Sequence, residues 1–261
     1  MQTVWITGAS SGIGQACAYR YARLGCRLGL TATSRPTLEL TADKCRQLGA
    51  ADIRILPYDL GEPDGIRLLV HEAWDAFGGI DILYCNAGIS QRTSIEDTPM
   101  TVVRKIMEVN YFAPAAMAQA ILPLMVSNGG GRIAVTSSIA GKFGFPLRCA
   151  YSSSKFALYG FFETLRAENS GKNISVTIVC PGRVRTSISL NALDKGGVRH
   201  GVMDPGQDGG LSADKAARRI VRAIRRRKNE VLVGRGELLM VHIKRFFPNL
   251  CARLAARIKP M

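Results

Sequence analysis

The stretch AYSSSKFALYGFFETLRAE, residues 150–168, places Tyr151 four residues before Lys155. Positions i and i+4 share one face of a helix. A free phenol has a pKa of about 10 and shuttles protons poorly at neutral pH. Two opposite charges about 4 Å apart interact by roughly 4 kcal/mol at an effective dielectric of 20. That equals about three pKa units, enough to bring the phenol toward 7 and fit it for acid–base work on an oxygen. The pair therefore predicts a tyrosine tuned by its lysine. The three serines between them are small residues that let the helix pack near a ligand.

A second chemical signal is TGASSGIG, Thr7 to Gly14. Gly8, Gly12 and Gly14 allow a tight turn and a close approach of backbone N–H groups to a phosphate; Ser10, Ser11 and Ile13 fill the turn. A helix starting there would face the anion with its positive dipole end. Further on, TATSR (31–35) holds no acidic residue that could bond a ribose 2′-hydroxyl. Ser34 and Arg35 could instead hold a 2′-phosphate, which predicts NADP(H) rather than NAD(H). Asp59 in PYDL could accept from an adenine amino group, or serve as a helix N-cap. In NAG, Asn86 to Gly88, the glycine permits close backbone approach to the same ligand.

These residues need elements to position them. β-rich runs at 3–7, 27–32, 53–57, 81–85, 132–137, 174–180 and 230–234 alternate with helical segments at 12–24, 36–48, up to 77, 100–126, around Tyr151 and 212–227. Such alternation predicts parallel strands joined by crossover helices, and the all-apolar strands predict a sheet covered on both faces. The expected fold is α/β, a single doubly wound domain of seven parallel strands over residues 1–236. A basic helical extension follows at 237–261. Ligands bind such sheets at the carboxyl ends of the strands, where most of the candidates fall.

Composition narrows the classes. The chain has 261 residues, 47% of them hydrophobic, which suffices for a sizeable core. Its seven cysteines form no C-x-x-C pair, and its three histidines lack metal-ligand spacing. No metal, no disulfide framework and a reducing cytoplasm are expected. MQTVWITGAS has no signal-peptide pattern. The uncharged run 109–131 is long enough to span a bilayer, but it carries two asparagines, a glutamine and two prolines; a buried helix is expected. Net charge is +15, of which +11 lies from Ser212 onward: fourteen Lys and Arg against three Asp and Glu.

TGASSGIG, Asp59, NAG, Asn110, Ser138, Tyr151-x-x-x-Lys155 and Pro181-Gly182 stand in the order and spacing of the short-chain dehydrogenase/reductase family, which the chain resembles over about residues 3–190. DIRILPYDL, AGISQRTS and GFFETLRAE further resemble the dehydrogenase/reductase member 7B group, whose members typically begin with a membrane anchor that is not seen here. The resemblance implies a Rossmann-type fold and an NADP(H)-dependent carbonyl reductase or alcohol dehydrogenase. Tyr151 would supply the proton and Lys155 would also bond the nicotinamide ribose. Ser138 would hold the substrate carbonyl, and Asn110 would anchor a water chain. Gly8, Ser10, Ser11, Gly12, Ile13 and Gly14, then Ser34, Arg35, Asp59, Leu60, Asn86, Ala87 and Gly88, would hold the dinucleotide. Pro181, Gly182, Val184 and Thr186 would pin its nicotinamide. Cys85 and Thr33 depart from the family pattern, the second at a position where NADP users often have arginine.

The substrate is expected to be lipophilic, steroid-like or long-chain. Phe143, Phe145 and Leu147 would form an apolar wall, and a glycine-rich lid at 187–211 would cover it. The 7B resemblance adds acyl-dihydroxyacetone phosphate. Phe156, Leu158, Tyr159, Phe161, Phe162 and Leu165 predict a helix face for a homodimer or homotetramer. In the tail, Leu239, Ile243, Phe246, Leu250, Leu254 and Ile258 recur at helical spacing, interrupted by Pro248, among Lys244, Arg245, Arg253, Arg257 and Lys259. That stripe either packs on the body or lies on an anionic membrane. A cofactor-binding regulatory protein and a nucleic-acid binder using the basic tail are the rival classes. The tail lacks aromatic interleaving beyond Phe246-Phe247, which counts against the latter.

Overall fold

Seven short runs rich in β-branched and apolar residues pair in parallel, as their composition predicts. The computed structural model describes residues 1–258. In chain order the elements are β1 (Thr3–Thr7), α1 (Gly12–Ala22), β2 (Arg27–Thr31), α2 (Arg35–Gln47), β3 (Asp52–Ile55), α3 (Ile66–Phe77) and β4 (Ile82–Cys85). Next come α4 (Met100–Met107), α5 (Ala113–Ser127), β5 (Gly131–Thr136), α6 (Cys149–Glu168) and β6 (Ile174–Pro181). The last third holds β7 (Val184–Arg185), α7 (Pro205–Asp208), β8 (Leu211–Ser212), α8 (Ala213–Arg225), β9 (Glu230–Val233), α9 (Leu239–Phe246) and α10 (Pro248–Ala256).

The main sheet has the order β3-β2-β1-β4-β5-β6-β9, and β7 pairs separately with β8. Side chains alternate between two cores, as a period of two requires. Val4 and Ile6 of β1 join the core under α1, α2 and α8, while Trp5 joins the one under α3, α5 and α6. Strand order reverses between β1 and β4, and that switch point opens a crevice at the carboxyl edge.

The structure adds detail to three expectations. The helix expected over 100–126 is interrupted by a π-turn at Glu108–Phe112. Pro114 has no N–H to give the Asn110 carbonyl four residues earlier, so the regular ladder fails there. The helix is otherwise a packed one: Val102, Ile106, Met117, Ile121 and Met125 are buried. Second, the segment 187–211 is folded onto the body. Leu193 exchanges backbone hydrogen bonds with Ser90 and Arg92, each 2.8 Å, and Ser189 and Ala192 are fully buried.

Third, the tail is not one stripe. Pro248 starts a new helix after the turn at Phe247, so α10 does not continue the register of α9. Met240, Val241, Ile243, Cys251, Ala255 and Ile258 pack against Ile139, Phe143 and Cys180. Leu239, Phe246, Phe247 and Leu250 face outward. Lys259 lies outside the described residues. Six of the seven cysteines are buried and all seven are free thiols; only Cys149 is half-exposed.

Candidate active site

The glycine-rich turn leaves β1 and enters α1. Gly8 has φ +64° and Gly12 φ +55°, left-handed values that favour glycine. Gly14 is different: a Cβ there would meet the Gly8 carbonyl oxygen at 2.2 Å. Ser11 precedes α1 without a side-chain cap, so Gly12, Ile13 and Gly14 begin a helix with open N–H groups. Ser10 sits in the same turn, its carbonyl accepting from Gln15 at 3.1 Å. The NAG loop is tied to this turn through Thr7. Its Oγ1 accepts from the Asn86 and Ala87 N–H groups at 3.0 and 3.1 Å, and the Asn86 side chain returns a bond to the Thr7 carbonyl.

On the outer strands, Ser34 and Arg35 stand where β2 passes into α2, Arg35 exposed and in no ion pair among the described residues. Asp59 accepts from Gly61 N–H at 2.9 Å. The next helix begins only at Ile66, so Asp59 is a turn residue and not a helix N-cap. Leu60 is buried behind it. On the other side, Pro181 ends β6, Gly182 donates to the Val233 carbonyl at 2.8 Å, and Val184 is buried in β7. Thr186 touches the glycine turn: a Cβ on Gly12 would lie 3.1 Å from its methyl group.

The four candidate proton-handling residues come together after β4, β5 and into α6. Ser138 follows β5; its Oγ accepts from Ala140 N–H at 3.1 Å, which fixes the side chain. Tyr151 lies in the first turn of α6, its backbone N–H held by Gln91 Oε1 at 3.1 Å. Lys155 is 2% exposed and donates to the Thr136 carbonyl at 2.8 Å. Asn110, in the π-turn, clamps the residue after NAG: it accepts from Ile89 N–H at 2.8 Å and donates to Ile89 O at 2.9 Å. It also donates to Ser154 of α6 at 3.0 Å. Gly88 is wedged between them, its Cβ position 3.1 Å from Asn110 Oδ1 and 3.3 Å from Lys155 Nζ.

The electrostatics differ from the simple pair read in the sequence. Lys155 Nζ stands 5.7 Å from the Tyr151 ring centre and gives one hydrogen bond, to Thr136. Burial pushes its pKa down to about 7. Burial raises the Tyr151 phenol above its ordinary value; Ser138, Arg148 and Arg92 oppose that rise. In this structure the phenolate gains its support from a serine and two arginines, not from the lysine one turn on.

A cavity of about 210 Å³ opens over Ser138 and Tyr151. Phe145 lines it, with Ile139, Ile188 and Ile258. Of the other two residues expected in its wall, Phe143 is buried against Cys180 and Cys251, and Leu147, at φ +60° with its carbonyl accepting from Thr93 N–H, is not part of the lining. The cavity is also charged: Arg92, Arg148, Arg183 and Asp204 line it. The sequence singled out none of these four, nor Thr7 and Gln91 as supports. Arg92 and Asp204 are 112 residues apart, and no spacing rule joins them.

A glycine turn after β1, a switch point beside it and a Tyr-x-x-x-Lys helix after β5 define a dinucleotide-dependent oxidoreductase on a doubly wound sheet. Residues 2–195 match the model of the short chain dehydrogenase family, and the chain belongs to that family. It is 40% identical to a Drosophila melanogaster dehydrogenase/reductase SDR family protein 7-like, over 97% of this chain and 78% of that one. It is 38% identical to the Mus musculus dehydrogenase/reductase SDR family member 7B, over 97% and 80%. Among solved structures, a Sphingobium yanoikuyae short-chain dehydrogenase in complex with NADPH superposes with TM-score 0.79 at 26% identity, covering 99% of this chain and 97% of that one. A Burkholderia phymatum short chain dehydrogenase/reductase in complex with NAD shares the fold, with TM-score 0.83 at 24% identity over 100% and 96%.

Proposed function

We propose that the protein is an NADP(H)-dependent carbonyl reductase, working as an alcohol dehydrogenase in reverse. The observation that carries this is the shared cavity of Ser138 and Tyr151 at the carboxyl edge, beside the glycine turn and backed by Lys155 and Asn110. The residues present fit a nicotinamide dinucleotide. A side chain on Gly14 would collide with the Gly8 carbonyl, so glycine lets α1 start tight against the turn; the first turn of α1 offers uncapped N–H groups, and Gly88 leaves one side of Lys155 open to a ribose. That group supplies the hydride.

The chain's own residues do the rest. Ser138 holds the carbonyl oxygen and Tyr151 donates its hydroxyl proton to it. Burial keeps the phenol protonated at neutral pH, which suits donation to a ketone. Asn110 and Gln91 position the NAG loop and the start of α6. Arg35, with no acid at the end of β2, supports a 2′-phosphate; the solved relatives hold NAD or NADPH and do not choose between them.

Ile139, Phe145, Ile188 and Ile258 support an apolar body on the substrate. At about 210 Å³ the cavity is smaller than the 300–1,000 Å³ of typical ligand sites, so a steroid-like body would require the 187–211 segment to move. We also propose a reducing cytoplasmic setting, in keeping with the seven free thiols, and a homodimer or homotetramer. Contact with an anionic membrane surface is supported by the outward Leu239, Phe246, Phe247 and Leu250 among the tail's cations.

A panel of ketones with NADPH and NADH side by side tests the assignment. NADPH should win, and Arg35→Ala should shrink the preference by about ten- to a hundredfold. Equal use of both cofactors by the wild type would remove the 2′-phosphate argument, and no oxidation of either across the panel would remove the reductase.

A further inference from the structure

The cavity holds a charged cluster whose part in tuning Tyr151 does not account for all of its donors. Asp204, at the start of α7, lies against two arginines from different parts of the chain. Arg92 grips it with two bonds, Nε to Oδ1 at 3.1 Å and Nη2 to Oδ2 at 2.6 Å. The remaining Arg92 nitrogen is also engaged, donating to Ser90 Oγ and the Gln91 carbonyl. Both side chains are nearly inaccessible, at 3% and 6%. This ion pair fastens the 187–211 segment over the cavity.

Arg148 is placed differently. It precedes α6, three residues before Tyr151, and lines the same cavity. Its guanidinium makes one hydrogen bond among the described residues, Nη2 to Asp204 Oδ2 at 2.8 Å. A guanidinium has five N–H donors in a planar fork. The side chain is 16% exposed, and its guanidinium lies 5.6 Å from the Phe145 ring centre, a contact that uses its face and leaves its in-plane donors for another acceptor. Asp204 balances only one of the two positive charges, and Arg183 adds another at the cavity wall. Burial, and then Arg92, push the Arg148 pKa down against the opposing pull of Asp204, so a second anion here would relieve a remaining charge excess.

We propose that Arg148 is a specificity-determining residue: its free donors bind an anionic group, a carboxylate or a phosphate ester, on the carbonyl substrate, while Arg92 keeps Asp204 and the covering segment in place. This rests on the carbonyl reductase reading and deepens it. The anion lies within one helical turn of the proton donor, so anion and carbonyl belong to the same end of the substrate. The apolar residues Phe145, Ile188 and Ile258 then take the rest of the molecule.

The test uses the full chain with NADPH and matched ketones at fixed ionic strength: a 2-oxo acid against its methyl ester, and a hydroxyketone phosphate against the free hydroxyketone. The readout is the ratio of kcat/KM, anionic over neutral, and the two arms separate carboxylate from phosphate. The wild type should favour at least one anionic member by about tenfold or more. Arg148→Met should cut that ratio by a similar factor, and Arg148→Lys should restore part of it. A purely structural arginine would lower both members together and leave the ratio unchanged. A wild-type ratio near one in both arms, or a ratio indifferent to Arg148→Met, overturns the proposal. Should no ketone be reduced at all, the reductase reading fails by itself. The anion site is then decided by thermal shift of the NADPH-mixed protein with a 2-hydroxy acid and glycerol phosphate against the 2-hydroxy amide and glycerol. Stabilisation by an anion that Arg148→Met abolishes supports the site, and equal shifts for anion and neutral partner sink it.

Discussion

Tyr151 and Lys155 are held in opposite ways by the same burial: the phenol is kept protonated and the amine is pushed toward neutrality. If Tyr151 donates the proton, Tyr151→Phe should lower turnover by at least about a hundredfold, while NADPH affinity by fluorescence titration stays within about threefold. A variant retaining a tenth of the wild-type rate would show that the proton comes from elsewhere. Lys155 also makes a stability prediction. Its pKa falls from 10.5 to about 7 on folding, so above about 7 the unfolded chain binds the extra proton and stability rises with pH. Near 9 the sign reverses. The thiols of Cys45, Cys85 and Cys180, each pushed up from 9.0 to about 12, keep protons that the unfolded chain releases. Urea unfolding of the nucleotide-free protein should therefore show stability rising from pH 7 to about 9 and falling beyond. Lys155→Met should flatten the rise. A wild type with no rise would show that Lys155 folds charged.

The elements explain why these residues stay in place. Thr7 and Asn86 join the glycine turn to the NAG loop, and Asn110 joins that loop to α6. A regular helix through Asn110 would close its carbonyl into the ladder; Pro114 prevents that and leaves a π-turn where the side chain can clamp Ile89. The tail works as a pair of short helices with two faces. Ile258 and Cys251 close the cavity side, so a truncation at 237 would damage the site and confuse the readout. Point changes on the outer face are cleaner. Phe246 and Phe247 are 67% and 63% exposed. Changing both to Ser should weaken binding to anionic vesicles at low salt by about tenfold or more, since each buries a large apolar surface on docking. Thermal stability should hardly move. Equal vesicle binding by the variant would leave the outer face without a lipid role.

At the scale of the molecule, one face of α5 and α6 is left incompletely covered. Leu158, Phe162 and Leu165 are in the core, but Phe112 and Phe156 are 50% and 44% exposed, and Phe112 borders a groove lined by Tyr111, Ala116 and Phe161. The proposed oligomer would bury this face. Light scattering at micromolar concentration should give at least a dimer, and Phe156→Arg should shift it toward monomer. A wild-type monomer would refute the assembly and leave the cavity chemistry unaffected.

The sequence by itself determined the parallel sheet, the glycine turn and the Tyr151–Lys155 pair, while Ser138 was implied by the family resemblance. Each of the first three rests on a local rule: strand–helix alternation, a turn that only glycine can make, and an i, i+4 spacing. What Lys155 does to Tyr151 was not local. It depended on the Thr136 carbonyl, which only the packing of β5 against α6 brings to the amine. The same holds for the Arg92–Asp204–Arg148 cluster, whose members are charged residues in separate loops with no periodicity to link them. The tail's two faces were hidden because the helical spacing, interrupted at Pro248, does not say which side of each piece meets the body. Local geometry follows from neighbours along the chain, whereas burial, and with it every shifted pKa and every buried ion pair, follows from neighbours in space.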